Sequence, residues 1–376
     1  MIPLNRPCIF SGSSPDFSNV FLTNDFKNYN LNLFFSSRDG LNVIYRNLYN
    51  IHGSLRVLVS PLTCFFALYP IVMNGHIPIF VDVDFQTFNV NEKEVINRHD
   101  VQAIQIIYLG GNPVNLDVIL PWAIENNIII VEDCAQALGS QYNEKLLGTF
   151  GDFSVFSMVK NLHAVAGGLM LSKTNVGIPK IDQVPWSVMM YKKMKRFLES
   201  RASAKRIGLF NLLYKYLLLL KEGNESWKYG NPRRFNEIDE CKILSLLADN
   251  YYLIEKRLEV TDLLISRIDK NKYFIQQEVD HGKSNRNRLL LLSKNRCAKD
   301  LISELRGSGI AANNLTQSYL NGFQENVKKD KILGEYYSGD LDVYEEINQR
   351  LVAIPNSPSL SVNEINYIVE KVNEIN

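Results

Sequence analysis

The sequence is short of sulfur, and the sulfur it has is not arranged to do a joint task. Five cysteines (Cys8, Cys64, Cys134, Cys241 and Cys297) are scattered, odd in number and without a CxxC pair. That argues against a disulfide framework or a metal site and fits a reducing cytoplasm. Charge of one sign is missing too: 41 basic residues stand against 40 acidic ones, for a formal net charge of +1. Nothing in that balance calls for a nucleic-acid or acidic-surface partner. Long apolar runs are absent as well. The most apolar helix-like stretch, Leu209 to Leu220, is interrupted by Asn211 and Lys215 and is too short to span a bilayer. It reads as a buried or dimer-facing helix rather than one resting on a membrane. The opening MIPLNRPCIF has no basic start followed by an apolar core, so no secretory signal is expected. There is no internal repeat and no low-complexity tract.

What is present is the composition of a globular protein, 46% hydrophobic and 22% charged over 376 residues, a length that suggests two domains. The first half alternates strand and helix signals. RVLVS (56–60), IPIFVDVD (77–84), AIQIIYL (103–109), IIIVED (128–133), FSVFS (153–157) and GLMLS (168–172) read as strands. Helical patterns lie at Cys64 to Asn74, stopped by Gly75, and near Leu116 to Asn126. Short β-branched runs separated by helices predict a mostly parallel sheet with helices on its faces. Ligands collect beyond the carboxyl ends of such strands, which directs attention to Asp133. Beyond about residue 180 the texture changes. Tyr191 to Lys221 mixes basic residues with leucines, and Cys241 to Asp269 reads as a long amphipathic helix. Asn287 to Leu292 reads as a strand, with Ala298 to Arg306 and Asn363 to Ile375 as helices. We place a boundary near residue 240, giving a large domain over 1–240 and a smaller α+β domain over 241–376.

Two segments carry chemistry. In VEDCAQA (131–137) a carboxylate ends a strand and an amide side chain follows three residues later. A carboxylate so placed suits a heteroaromatic cofactor with a basic ring nitrogen, because it keeps that nitrogen protonated and the ring electron-accepting. The same Asp133 also suits a plain helix cap. In GDFSVFSMVKNL (151–162), followed by Gly167-Gly168, Lys160 comes just after a buried strand. Burial disfavours an ammonium ion and yields a nucleophilic amine, though most lysines are simply solvated.

VEDCAQALGS, then FSMVKNL and a Gly pair in that order, resembles the DegT/DnrJ/StrS-type sugar aminotransferases. So do VLVSPLTCFFALYPIVMNGHIPIFVDVDFQTFNVN (57–91), IIYLGGNP (106–113) and the C-terminal LVAIPNSPSLSVNEINYIVEKV. The resemblance runs from about residue 36 to 372. It implies an aspartate-aminotransferase-like α/β fold with a large domain and a smaller C-terminal one. It also implies a cytoplasmic homodimer with shared sites, and pyridoxal 5′-phosphate as cofactor. Lys160 would hold the cofactor as a Schiff base, Asp133 would face the pyridinium nitrogen, and Gln136 would approach the phenolic oxygen. Cys64 falls where relatives place an aromatic ring over the cofactor, and equally suits a small buried hydrophobe. For the phosphate, Ser37 and Arg38 occupy the Gly and Thr places of the relatives' helix-opening NGT motif, and Arg38 also suits a solvent-facing helix position. Relatives carry a Ser five residues before the Lys, where this chain has Val155. Ser157 is the preferred replacement, with Ser154 as fallback. Asn231 or Asn236, beside Arg233 and Arg234, would reach the partner subunit's phosphate, or the segment is an exposed turn. His163 would touch the sugar or be an ordinary loop residue.

The implied reaction moves an amino group, with L-glutamate as the expected donor, onto a nucleotide-linked keto sugar. The amino sugar formed would serve polysaccharide or glycoside synthesis, lipopolysaccharide O-antigen included. A dehydratase branch of the family carries His in place of the Lys, and a non-catalytic regulatory protein on the same fold is the other alternative.

Overall fold

The computed structural model describes residues 26, 28–162, 164, 166–178, 182–183, 233–234, 252–314 and 340–375. The expectations placed on His163, Asn231, Asn236, the 191–221 stretch and the boundary near 240 lie outside these residues.

A seven-stranded sheet organises the N-terminal half. Its strands are β1 (Asn30–Phe34), β2 (Arg56–Val59), β3 (Ile77–Phe80), β4 (Ala103–Ile107), β5 (Ile129–Cys134), β8 (Phe153–Ser157) and β9 (Gly168–Ser172). Between β5 and β8 come the two-residue strands β6 (Gln141–Tyr142) and β7 (Lys145–Leu146). The sheet order is β1-β9-β8-β5-β4-β2-β3, and only β9 runs against its neighbours. Every residue of β4, β8 and β9 is buried, as expected where helices cover both faces.

The period of two sorts the strands' side chains onto two cores. Val57, Ala103, Val131, Val155 and Met170 pack with Leu41, Ile44, Tyr45 and Leu48 of α1 (Ser37–His52) and Ile71 of α2 (Phe65–Met73). Leu58, Ile104, Ile130, Phe156 and Leu169 pack on the opposite face. The helices α3 (Glu92–Val95) and α4 (Leu116–Glu125) follow on that side, where Leu116, Ile119 and Trp122 join the same core. In α1 the spacing 41, 44, 45, 48 makes one apolar stripe, and Ser36 caps the helix by accepting the Asp39 N–H.

The four-residue helix α5 (Met158–Asn161) leaves β8 directly. Two further strands, β10 (Asp182–Gln183) and β11 (Arg233–Arg234), pair in parallel. A smaller antiparallel sheet, in the order β12 (Tyr273–Ile275), β14 (Leu289–Ser293), β15 (Leu351–Ile354), packs with α6 (Tyr252–Arg267), α7 (Ala298–Gly307) and α9 (Val362–Glu374). Several contacts tie the two halves together. Strand β13 (Gly282–Lys283) pairs with β6. A shared core also joins Val59, Phe80, Ile107 and Leu109 to Leu290, Leu292, Ala353 and to Tyr344 and Ile347 of α8 (Asp342–Arg350).

The α/β architecture is the one expected. The strand anticipated over 77–84 is shorter, because β3 ends at Phe80. Asp82 turns away from the sheet and spends its carboxylate on the backbone of Val343 and Tyr344. The helix anticipated over 241–269 is described over Tyr252–Arg267.

Candidate functional site

Three neighbouring parallel strands present Ile107, Asp133 and Ser157 at their carboxyl ends, all on the face covered by α1 and α2. Register places Ile107 beside Asp133 and Asp133 beside Val155; alternation then carries Ser157 to the same face as Val155. A cleft of about 380 Å³ opens at this edge, lined by Thr63, Cys64, Ile107, Asp133, Gln136 and Lys160 among others. The sequence-selected Asp133, Gln136, Cys64 and Lys160 are thus brought together.

Asp133 is 6% exposed and its Oδ1 accepts the Ala135 N–H at 3.0 Å. Burial pushes its carboxyl upward, while the positive charge of Lys160 and the Ala135 N–H pull the other way. Charge on Lys160 therefore reaches Asp133 within one low-dielectric cleft. Gln136 Oε1 accepts the Gly110 N–H at 3.1 Å, which ties it to the turn after β4. Asn89 fixes that turn further: its Oδ1 accepts from Leu109 N, and its Nδ2 donates to the Asn112 and Pro113 carbonyls. Gly111 is required there. Its φ is +89°, and a Cβ would lie 1.9 Å from Asn285 Oδ1. Cys64 is half-buried at the N-cap of α2, makes no capping bond, and packs against the shared core.

Ser157 is buried and caps α5, its Oγ accepting the Lys160 N–H at 3.4 Å. Ser154 points the other way and donates to the Gly148 carbonyl at 2.8 Å. Ser37 opens α1, and the Arg38 guanidinium lies 4.9 Å above the Phe66 ring. None of Ser37, Arg38 and Ser157 lines the Lys160–Asp133 cleft. Gly168 nevertheless joins them: it is the register partner of Ser157, and a Cβ on it would sit 2.2 Å from the Ser37 nitrogen. The start of α1 therefore abuts the end of β8.

Sequence reasoning missed the residues that hold this cleft in shape. Glu132, on the opposite face of β5, is fully buried. Its two oxygens accept from Tyr108 Oη (2.7 Å), Gly148 N (2.8 Å), Phe150 N (2.8 Å) and Gly151 N (2.6 Å). It fixes the loop that leads into β8. A charged residue inside a strand pattern was the available signal. The buried Tyr45, whose Oη donates to Gln105 Oε1 at 2.6 Å, lies behind the cleft; burial and the Asp133 carboxylate push its hydroxyl well above the ordinary tyrosine range.

A pyridoxal phosphate ring fits this donor set: a buried carboxylate, a primary amine and an amide share one cleft, and a helix start abuts the end of the strand that leads into the Lys160 turn. Comparison with known proteins agrees. Residues 34–373 match the DegT/DnrJ/EryC1/StrS aminotransferase family. GDP-perosamine synthase of Escherichia coli O157:H7 is 36% identical over 115 residues, which is 30% of this chain and 31% of that protein. UDP-4-amino-4,6-dideoxy-N-acetyl-beta-L-altrosamine transaminase of Campylobacter jejuni is 27% identical over 313 residues, covering 78% and 75% of the two chains. The match to the first of these thus spans about a third of its length. A solved E. coli GDP-4-keto-6-deoxy-D-mannose-3-dehydratase with bound hydrated PLP superposes with a TM-score of 0.71 at 19% identity, covering 93% of this chain and 89% of that one. Among the described residues no helix is long and apolar enough to cross a membrane. Pyridoxal phosphate is the cofactor of this family, and on the match over residues 34–373 the chain belongs to the DegT/DnrJ/EryC1/StrS aminotransferases.

Proposed function

We propose that the protein transfers an amino group, from L-glutamate, onto a nucleotide-linked keto-deoxy sugar, with Lys160 as the residue that holds pyridoxal phosphate. The observation that carries this is the convergence of Lys160 and Asp133 on one cleft at the strand ends. When bound, the cofactor supplies an electron-accepting ring. Asp133 keeps the ring nitrogen protonated, because a buried carboxylate favours a cation beside it. Gln136, its oxygen engaged by Gly110, offers Nε2 to the phenolic oxygen. Cys64 bounds the ring face. The α1 start with Ser37 and Arg38, together with Ser157, takes the phosphate end. Asn231 or Asn236 would extend that site across a homodimer. Once the amino donor has displaced it, the Lys160 amine would be free to carry a proton to and from the substrate carbon, in one direction for the donor and in the other for the sugar.

In this reading the large domain covers 1–240 and the small one 241–376. The enzyme works in the cytoplasm, the compartment that five scattered cysteines without a CxxC pair suit. Lys160 also separates it from the family's dehydratase branch, which resemblance associates with His at that place.

The test is a spectral titration of the holoenzyme with glutamate, followed by a panel of keto-sugar nucleotides and mass analysis of the products. Lys160→Ala is expected to lose both the long-wavelength cofactor absorbance and turnover. Transamination by that variant at the normal rate overturns the assignment, and a product lighter by a hydroxyl rather than aminated replaces it with dehydration.

A further inference from the structure

The segment that bears Lys160 has no length of its own to be rigid. Helix α5 has four residues, and a single turn does not hold itself together. What fixes it comes from elsewhere. Asn287, just before β14, donates from Nδ2 to the Lys160 carbonyl at 3.0 Å and to Asn161 Oδ1 at 3.1 Å. Asn285 Nδ2 also donates to Asn161 Oδ1, at 3.2 Å. Arg257 of α6, 2% exposed, donates from Nη2 to the Asn161 carbonyl at 2.9 Å. Asn161 in turn donates to the Ser157 and Ala135 carbonyls, and the Ala135 N–H holds Asp133 Oδ1. A chain of hydrogen bonds therefore runs from the C-terminal half, through the side-chain amide of Asn161 and Ala135, to the Asp133 carboxylate, with the Lys160 carbonyl held at its start by Asn287.

Asn287 is 1% exposed, and its Oδ1 has no hydrogen-bond partner. A buried amide with an unused acceptor is costly. What it gains there is its pair of donations to the Lys160 segment.

We propose that Asn287 is a positioning residue through which the C-terminal half sets the reach of the Lys160 amine toward a ring held at Asp133. The inference rests on Lys160 as the cofactor-bearing residue. It predicts that Asn287 matters for the covalent form of the cofactor and not for the cleft as a container. Pyridoxal phosphate needs the lysine in reach, whereas pyridoxamine phosphate has no aldehyde and binds without it.

The experiment measures affinity of the apoprotein for both compounds in the unchanged protein, Asn287→Ala and the isosteric Asn287→Asp. Borohydride reduction and peptide mass mapping then give the fraction of Lys160 labelled. Pyridoxal phosphate is expected to bind about tenfold more weakly to the variants, with pyridoxamine phosphate within about twofold and Lys160 labelling reduced. Apoprotein melting checks that the variants are folded. Should neither fold, Asn287→Ser, which keeps a hydroxyl donor near the same carbonyl, carries the comparison. Equal weakening of both compounds, or no change in either, overturns the inference alone. Binding of pyridoxal phosphate to the unchanged protein without label on Lys160 overturns the assignment of Lys160, and this inference with it.

Discussion

Asp82 holds Tyr344, 262 positions away in the chain. Its Oδ1 accepts the Tyr344 N–H at 2.8 Å and its Oδ2 accepts the Val343 N–H at 2.9 Å, so a carboxylate from the large sheet's loop caps the first turn of α8. The helix start favours a negative charge there, and Asp82 is buried. Asp82→Ala removes the cap and strands two N–H groups at the junction of the two halves. A loss of about 2 kcal/mol in unfolding free energy is expected by urea titration. A variant as stable as the original would show that α8 is held by its apolar contacts alone.

Glu132 is the second structural carboxylate, and it needs its charge. Both oxygens receive donors, two each. Glu132→Gln turns one acceptor into a donor facing N–H groups at a fully buried site. The expected cost is about 3 kcal/mol. Its signature is preferential loss of order in the Gly148–Gly151 loop, seen as faster amide exchange there than in α4.

Asp133→Asn tests chemistry rather than stability. The shape and the Ala135 contact are kept, but the charge facing the ring nitrogen is removed. Cofactor binding is expected to persist while kcat falls by about a thousandfold. Unchanged kcat would remove Asp133 from the reaction.

His76 gives the fold an acid-sensitive point. The ring is buried, with Nδ1 accepting from Leu55 N at 3.0 Å and Nε2 at 2.8 Å from the Tyr45 carbonyl, so the neutral ring carries its proton on Nε2. Burial lowers its pKa, opposed in part by the Tyr45 carbonyl. Below about pH 6.5 the unfolded chain binds a proton that the folded chain resists. Stability is therefore full above that value and falls as pH drops toward the lowered folded pKa. His76→Gln is expected to flatten the slope of unfolding free energy against pH below about 6.5 by up to ~1.4 kcal/mol per unit. An identical slope in both proteins would assign the acid response to other groups.

How much was readable in advance depends on whether a residue acts through its own strand or through a distant one. The strand and helix periods located β2, β4, β5, β8 and β9 from apolar runs, because burial on both faces leaves a local mark. The end of β3 was misjudged, since VDVD continues the strand pattern and the residue that diverts it lies near 343. Ser157 is the sequence's preferred phosphate serine, with Ser154 as its fallback. The structure adds that alternation sets the two on opposite faces of β8, with Ser154 bonded to the Gly148 carbonyl.

By itself the sequence determined the α/β class, the family, the cofactor and four of the residues that line the cleft, Cys64, Asp133, Gln136 and Lys160. These follow from order and spacing along contiguous segments, and such segments fold into one strand end each. The tertiary structure alone decided what holds them. Glu132 grips the loop before β8, Asp82 grips α8, and Asn285 and Asn287 grip the Lys160 turn from residues more than a hundred positions away. A hydrogen bond between such residues depends on how the two halves pack, and that packing leaves no periodic trace in the chain.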